Sequence, residues 1–100
     1  MPSIQYLQKY IRERDHHPEK IKDYFIKLTE EVGELGAALL HGSRMQGDEI
    51  KGTVDEEIWD VIYYALAIAN CMDVNVDRAI ELKEEINNRK YHHDEPYRPD

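Results

Sequence analysis

Apolar residues recur at helical spacing through most of the chain, and the pattern breaks at three places. Ile4, Leu7, Tyr10 and Ile11 step through a first segment over about residues 4–13, with Ser3 placed to cap it. The polar stretch from Arg12 to His17 ends at Pro18, which suits the first turn of a new helix. Asp15, His16 and His17 therefore predict a connector, and the paired histidines read as a solvated loop rather than a metal site. A second helix is predicted from Pro18 to about His41. There Ile21, Tyr24, Phe25, Leu28, Val32, Leu35 and Leu39 keep the 3.6-residue period, and Gly42 offers a left-handed stop. The stretch 41–52 carries Gly42, Gly47 and Gly52 with Ser43, Asp48 and Lys51, and predicts a loop. Arg44 and Lys51 read there as solvated charges, with an anion contact as the alternative.

Thr53-Val54-Asp55-Glu56 forms a capping box, with Thr53 as cap and Glu56 at the third helical position. The helix it opens reaches about Met72. From Ile58 to Ala69 its one charged residue is Asp60, and apolar side chains occupy every angle around the axis. Such a helix has to be covered on all sides, more than three other short helices can do. A homo-oligomer is expected, with this helix at the centre of the subunit contact. Asp73 to Asn75 predicts a turn, with Asn75 capping a last helix from Val76 to about Tyr91. Val76, Ala79, Ile80, Leu82 and Ile86 give that helix a narrow apolar stripe, and Glu81, Glu84 and Glu85 a solvated face. The polar end, 92–100, with two prolines, reads as a flexible tail. The expected architecture is an all-α, four-helix bundle over residues 1–91, a single domain completed by homo-oligomerisation.

Composition narrows the function classes. One hundred residues suffice for one domain with a modest core. No apolar run approaches the ~18 residues of a membrane span, and no signal-peptide pattern opens the chain. Cys71 is the one cysteine, which excludes an internal disulfide and fits an intracellular, cytoplasmic location; it reads as a small core thiol. A formal net charge of -8 and a pI near 5.0 argue against a polymeric nucleic acid as partner. They leave room for a small anionic ligand, because a bound metal inverts the local field.

The chemistry lies in two acidic pairs. Glu31 with Glu34, and Glu57 with Asp60, are each three residues apart and so share a helix face. Asp60 is the telling member. A carboxylate among apolar neighbours meets a desolvation cost of several kcal/mol unless it is paired or neutralised. Adding Glu31, Glu34 and Glu57 nearby makes ionisation harder still, whereas a divalent cation resolves both difficulties. An all-oxygen set suits Mg²⁺, with Mn²⁺ as a substitute. The di-iron bundle alternative needs a Glu-x-x-His motif, and neither pair has a histidine at its third position. The competing reading is a solvated acidic face, which is weakest for Asp60. Lys27, one turn before Glu31, reads as its ion-pair partner.

These residues resemble a known family. Glu30-Glu31-Val32-Gly33-Glu34-Leu35, a gap, then Glu57-Ile58-Trp59-Asp60-Val61 is similar to the two-part signature of the MazG-like, all-α nucleoside triphosphate pyrophosphohydrolases. The likeness runs from about Lys27 to Tyr91. It implies Glu31, Glu34, Glu57 and Asp60 as Mg²⁺ ligands, and Glu30 as a residue that orients the attacking water or acts as a base. Lys83, Asn87 and Lys90 match the family's C-terminal pattern, which meets the substrate's phosphates and sugar. Tyr64 matches a position that lines the nucleotide pocket in some members. The implied reaction converts a nucleoside triphosphate to monophosphate and pyrophosphate by cleavage between the α- and β-phosphates, with a house-cleaning role the usual inference. The implied assembly is a dimer or dimer of dimers. Two alternatives remain: a phosphoribosyl-ATP pyrophosphohydrolase-like enzyme, and a non-catalytic helical oligomer that binds nucleotide or protein.

Overall fold

The computed structural model of the chain describes residues 2–98. It contains four α-helices: α1 (Ile4–Arg14), α2 (Ile21–His41), α3 (Val54–Cys71) and α4 (Val76–Lys90). A single 3₁₀ turn, Pro18–Lys20, leads into α2. Among the described residues there is no strand, only an isolated bridge between Gln46 and Glu49 in the α2–α3 loop. The fold is all-α.

Local chemistry sets the boundaries. The Ser3 hydroxyl accepts from the Tyr6 N–H at 3.0 Å, and Asn75 Oδ1 accepts from the Arg78 N–H at 3.0 Å, so two helices start on the predicted caps. Thr53 Oγ1 accepts from the Glu56 N–H at 3.2 Å. The return leg of that capping box is shifted by one residue, since Glu56 Oε1 takes the Gly52 N–H at 2.8 Å. Gly42 ends α2 with φ 63°, a left-handed conformation in which its amide reaches back to Leu39 O.

α2 and α3 make the main contact, and α1 lies across α3. Ile11, Tyr24, Leu66 and Ala67 are buried at this crossing, with Leu7, Tyr10, Tyr63, Tyr64 and Ile68 packed around them. Two polar networks pin the arrangement. Asp15 accepts from the Tyr24 hydroxyl at 2.7 Å and the Tyr63 hydroxyl at 3.2 Å, which ties the α1–α2 connector to both α2 and α3. The Asn70 amide, 1% exposed, donates to Gln8 O at 2.9 Å and accepts from Gln8 Nε2 at 3.1 Å. Gln8 also accepts from the Val76 N–H, so one side chain joins α1, α3 and α4. Cys71 is half-buried at the end of α3, and burial raises its thiol pKa.

The apolar stripes are only half covered. Phe25, Val32 and Leu39 of α2 are 58%, 52% and 60% exposed, although their spacing marks them as core. The reason is that α2 rests mainly on α3, and one neighbour cannot cover so wide a stripe. On α3, Ile58, Ile62 and Ala65 share an outward face. α4 packs chiefly on α1, which leaves Leu82 and Ile86 open. No helix among the described residues is long and apolar enough to cross a membrane. The tail residues 92–98 turn back on α4, where the His93 N–H donates to Asn88 O at 2.8 Å and Asn88 Nδ2 donates to Glu95 O at 3.3 Å. Met1, Pro99 and Asp100, the last two in the expected flexible tail, lie outside the described residues.

Candidate active site

Packing of α2 on α3 brings the two acidic pairs together. Glu31, Glu57 and Asp60 each offer a carboxylate oxygen, and these oxygens all lie within 4.8 Å of one another. Glu57 is buried, and Glu31 and Asp60 are half-buried. Glu34 is exposed at the rim, one turn along α2 from Glu31. Glu31 Oε2 and Glu57 Oε2 are buried without a hydrogen-bond partner. Buried polar atoms are nearly always satisfied, so two orphaned oxygens in one cluster mark a place suited to a cation.

The electrostatics agree. Burial, reinforced by Glu57, Glu34 and Asp60, pushes the Glu31 carboxyl up to about 8. Burial raises Glu57 as well; the neighbouring Glu31 carboxyl opposes the shift, and Glu34, Asp60 and Glu56 add to it. Asp60 is raised by burial and then by the Glu56 charge, with Glu31 and Lys51 acting in the opposite direction. Such a cluster without a counterion must hold protons, and a divalent cation replaces them. The donor set is entirely carboxylate oxygen, which fits a hard ion of the Mg²⁺ class.

Other expected residues fall elsewhere. Glu30 is exposed on α2 and pairs with Lys27 at 3.6 Å, so Lys27 takes the i+3 carboxylate rather than Glu31. Tyr64, one turn beyond Asp60, is half-buried beside the cluster. Burial raises its pKa, with Lys27 opposing and Glu31 reinforcing the shift. Its ring meets Tyr63 edge-on at 5.2 Å between centroids, and Tyr63 meets Trp59 in the same way.

Comparison with solved structures is decisive at this point. A crystal structure of iMazG from Vibrio DAT 722 superposes with a TM-score of 0.82 at 46% identity, covering 90% of this chain and 98% of that one. A second iMazG crystal structure from the same source gives a TM-score of 0.80 at 46% identity, covering 88% and 99%. The chain belongs to the MazG-like family. No family model matches it, and no curated protein matches it.

Within this MazG-like chain, the three C-terminal residues suggested by the resemblance are not brought to the carboxylates. α4 packs on α1, away from the α2–α3 contact. There Asn87 donates to Glu84 Oε2 at 2.8 Å, and the Lys90 ammonium sits 5.3 Å from the Tyr91 ring centroid. Lys83 is exposed. One contributor was not singled out from the residue pattern: Glu56, read as a capping residue, adds its charge to both Glu57 and Asp60. Its position beside Glu57 was the available signal.

Proposed function

We propose that this MazG-like chain is a Mg²⁺-dependent nucleotide pyrophosphohydrolase that converts a (d)NTP to the monophosphate and pyrophosphate. The observation that carries the reading is the convergence of Glu31, Glu57 and Asp60 with two orphaned buried oxygens. These three carboxylates would hold Mg²⁺, and Glu34 at the rim would join them. Bound there, Mg²⁺ would neutralise phosphate charge and lower the pKa of water.

The chain's own groups do the remaining work. Glu31, Glu57 and Asp60 sit on two packed helices, so their oxygens are positioned before substrate arrives. Tyr64 offers an aromatic edge beside the cluster for the nucleoside end. Glu30, exposed and paired with Lys27 on α2, would orient the attacking water or accept its proton. Lys83, Asn87 and Lys90 reach a carboxylate cluster only if a second copy brings its α4 to this subunit. The uncovered faces of α2, α3 and α4 favour such a homo-oligomer, because identical apolar stripes are available on both partners. Water adds across the α–β anhydride, the bridging P–O bond breaks, and the water proton passes to a carboxylate.

A panel of canonical and modified (d)NTPs with phosphoribosyl-ATP, incubated with Mg²⁺, tests the reading. Pyrophosphate release that falls about a hundredfold or more in Asp60→Asn is expected. Turnover indifferent to that substitution would exclude the carboxylate cluster.

A further inference from the structure

The α2–α3 loop carries two cations, Arg44 and Lys51, and the structure treats them differently. Arg44 is committed. Its Nε and Nη2 donate to the two oxygens of Asp55 at 2.9 and 3.1 Å, and the Met45 N–H adds a third bond to that carboxylate at 2.8 Å. Arg44, followed by the Met45 amide, pulls the Asp55 carboxyl down to about 2. This clamp holds the loop to the first turn of α3. Lys51 makes no ion pair among the described residues, despite the acidic groups around it.

Lys51 instead lines a cavity of about 370 Å³ between the end of α2, the loop and the start of α3. Glu34, His41, Ser43, Glu56 and Glu57 line the same space. Two walls of this cavity are therefore members of the acidic pairs. Glu57 is only 6% exposed, and its Oε2 is one of the two orphaned oxygens. The cavity is continuous with the carboxylate cluster at one side and offers an ammonium, an imidazole and a hydroxyl at the other. The Lys51 charge is felt at Asp60, where it opposes the upward shift.

We propose that Lys51 and this cavity receive the pyrophosphate end of the substrate, which projects past the carboxylate cluster toward the α2–α3 loop. The inference rests on the hydrolase reading and adds a direction to it. The nucleoside end then lies toward Tyr64, one turn further along α3 on the other side of Asp60. Carboxylates alone would repel the anion, and a cation in the cluster reverses the local field. Lys51 supplies the point charge beyond that cation's reach.

Calorimetric titration of inorganic pyrophosphate in the presence of Mg²⁺ tests this on the intact protein, beside turnover assays of the same samples. Lys51→Ala is expected to weaken pyrophosphate binding about tenfold or more. Lys51→Arg should keep it within about threefold of wild type. Lys20→Ala, which removes an exposed lysine of the 3₁₀ turn, should leave it unchanged. Wild-type affinity in Lys51→Ala, an equal loss in Lys20→Ala, or no binding by the wild type would overturn the assignment. The two claims separate cleanly. Turnover of a nucleotide with pyrophosphate affinity unaltered in Lys51→Ala refutes the Lys51 site and leaves the hydrolase. Lys51-dependent binding without turnover of any nucleotide refutes the hydrolase and leaves an anion site.

Discussion

Glu31 is the side chain on which the local chemistry turns. Its carboxyl sits at about 8 instead of the ordinary 4.5, first because it is buried and then because Glu57, Glu34 and Asp60 surround it. A raised carboxyl pKa means that the folded, metal-free chain binds this proton more tightly than the unfolded chain does. Its contribution to stability is then fully present below about pH 4.5 and is lost as the pH rises through about 8. Mg²⁺ needs the ionised form, so its affinity should rise over the same window. Thermal melts from pH 5 to pH 9, with and without Mg²⁺, should show a metal-free midpoint that declines and a Mg²⁺ shift that grows. A Mg²⁺ shift that shrinks with rising pH would contradict the carboxylate assignment. At this scale the acidic pairs were legible because i,i+3 spacing is a local property. The fates of Arg44 and Lys51 were not. Both are loop cations with the same pattern around them, and only the fold shows that Asp55 occupies one and leaves the other facing a cavity.

Helix ends follow from neighbouring residues, which is why Ser3, Gly42, Thr53 and Asn75 all mark the ends they were expected to mark. Coverage of a helix face depends on distant partners, and there the sequence pattern misled: Phe25, Val32 and Leu39 are periodic yet exposed. The start of α3 matters most, since it sets the register of Glu57 and Asp60 and anchors the loop that carries Lys51. Thr53 is buried there, accepting from the Glu56 N–H while its hydroxyl donates to Ile50 O. Thr53→Ala should cost about 1 kcal/mol of stability in chemical denaturation. Thr53→Ser keeps the hydroxyl and should recover most of it. Equal losses in the two variants would mean that the methyl group's packing, not the cap, holds this turn.

At the scale of the whole chain, many large apolar side chains stand exposed among the described residues. Phe25, Ile26 and Ile68, with Ile21, line an apolar groove of about 400 Å³ on the outer side of α2 and α3. Ile58 and Ile62 extend the α3 surface further toward the acidic end. Exposed patches of this kind mark interaction sites. A homo-oligomer should therefore be seen by sedimentation, and Ile62→Glu should shift it toward monomer by placing a charge on the contact. A wild-type monomer at all concentrations would contradict this. The all-α architecture and its four elements were readable from periodicity, because each helix carries its own 3.6-residue signal. The position of α4 was not readable, since its narrow stripe gives no clue to which neighbour it chooses. That choice is what leaves Lys83, Asn87 and Lys90 apart from Asp60 within one subunit. The central claim, that the α2–α3 carboxylates serve cleavage of the α–β anhydride, is tested most directly by phosphorus NMR of a (d)NTP turnover in Mg²⁺. The account predicts nucleoside monophosphate and pyrophosphate in equal amounts; nucleoside diphosphate with orthophosphate would contradict it.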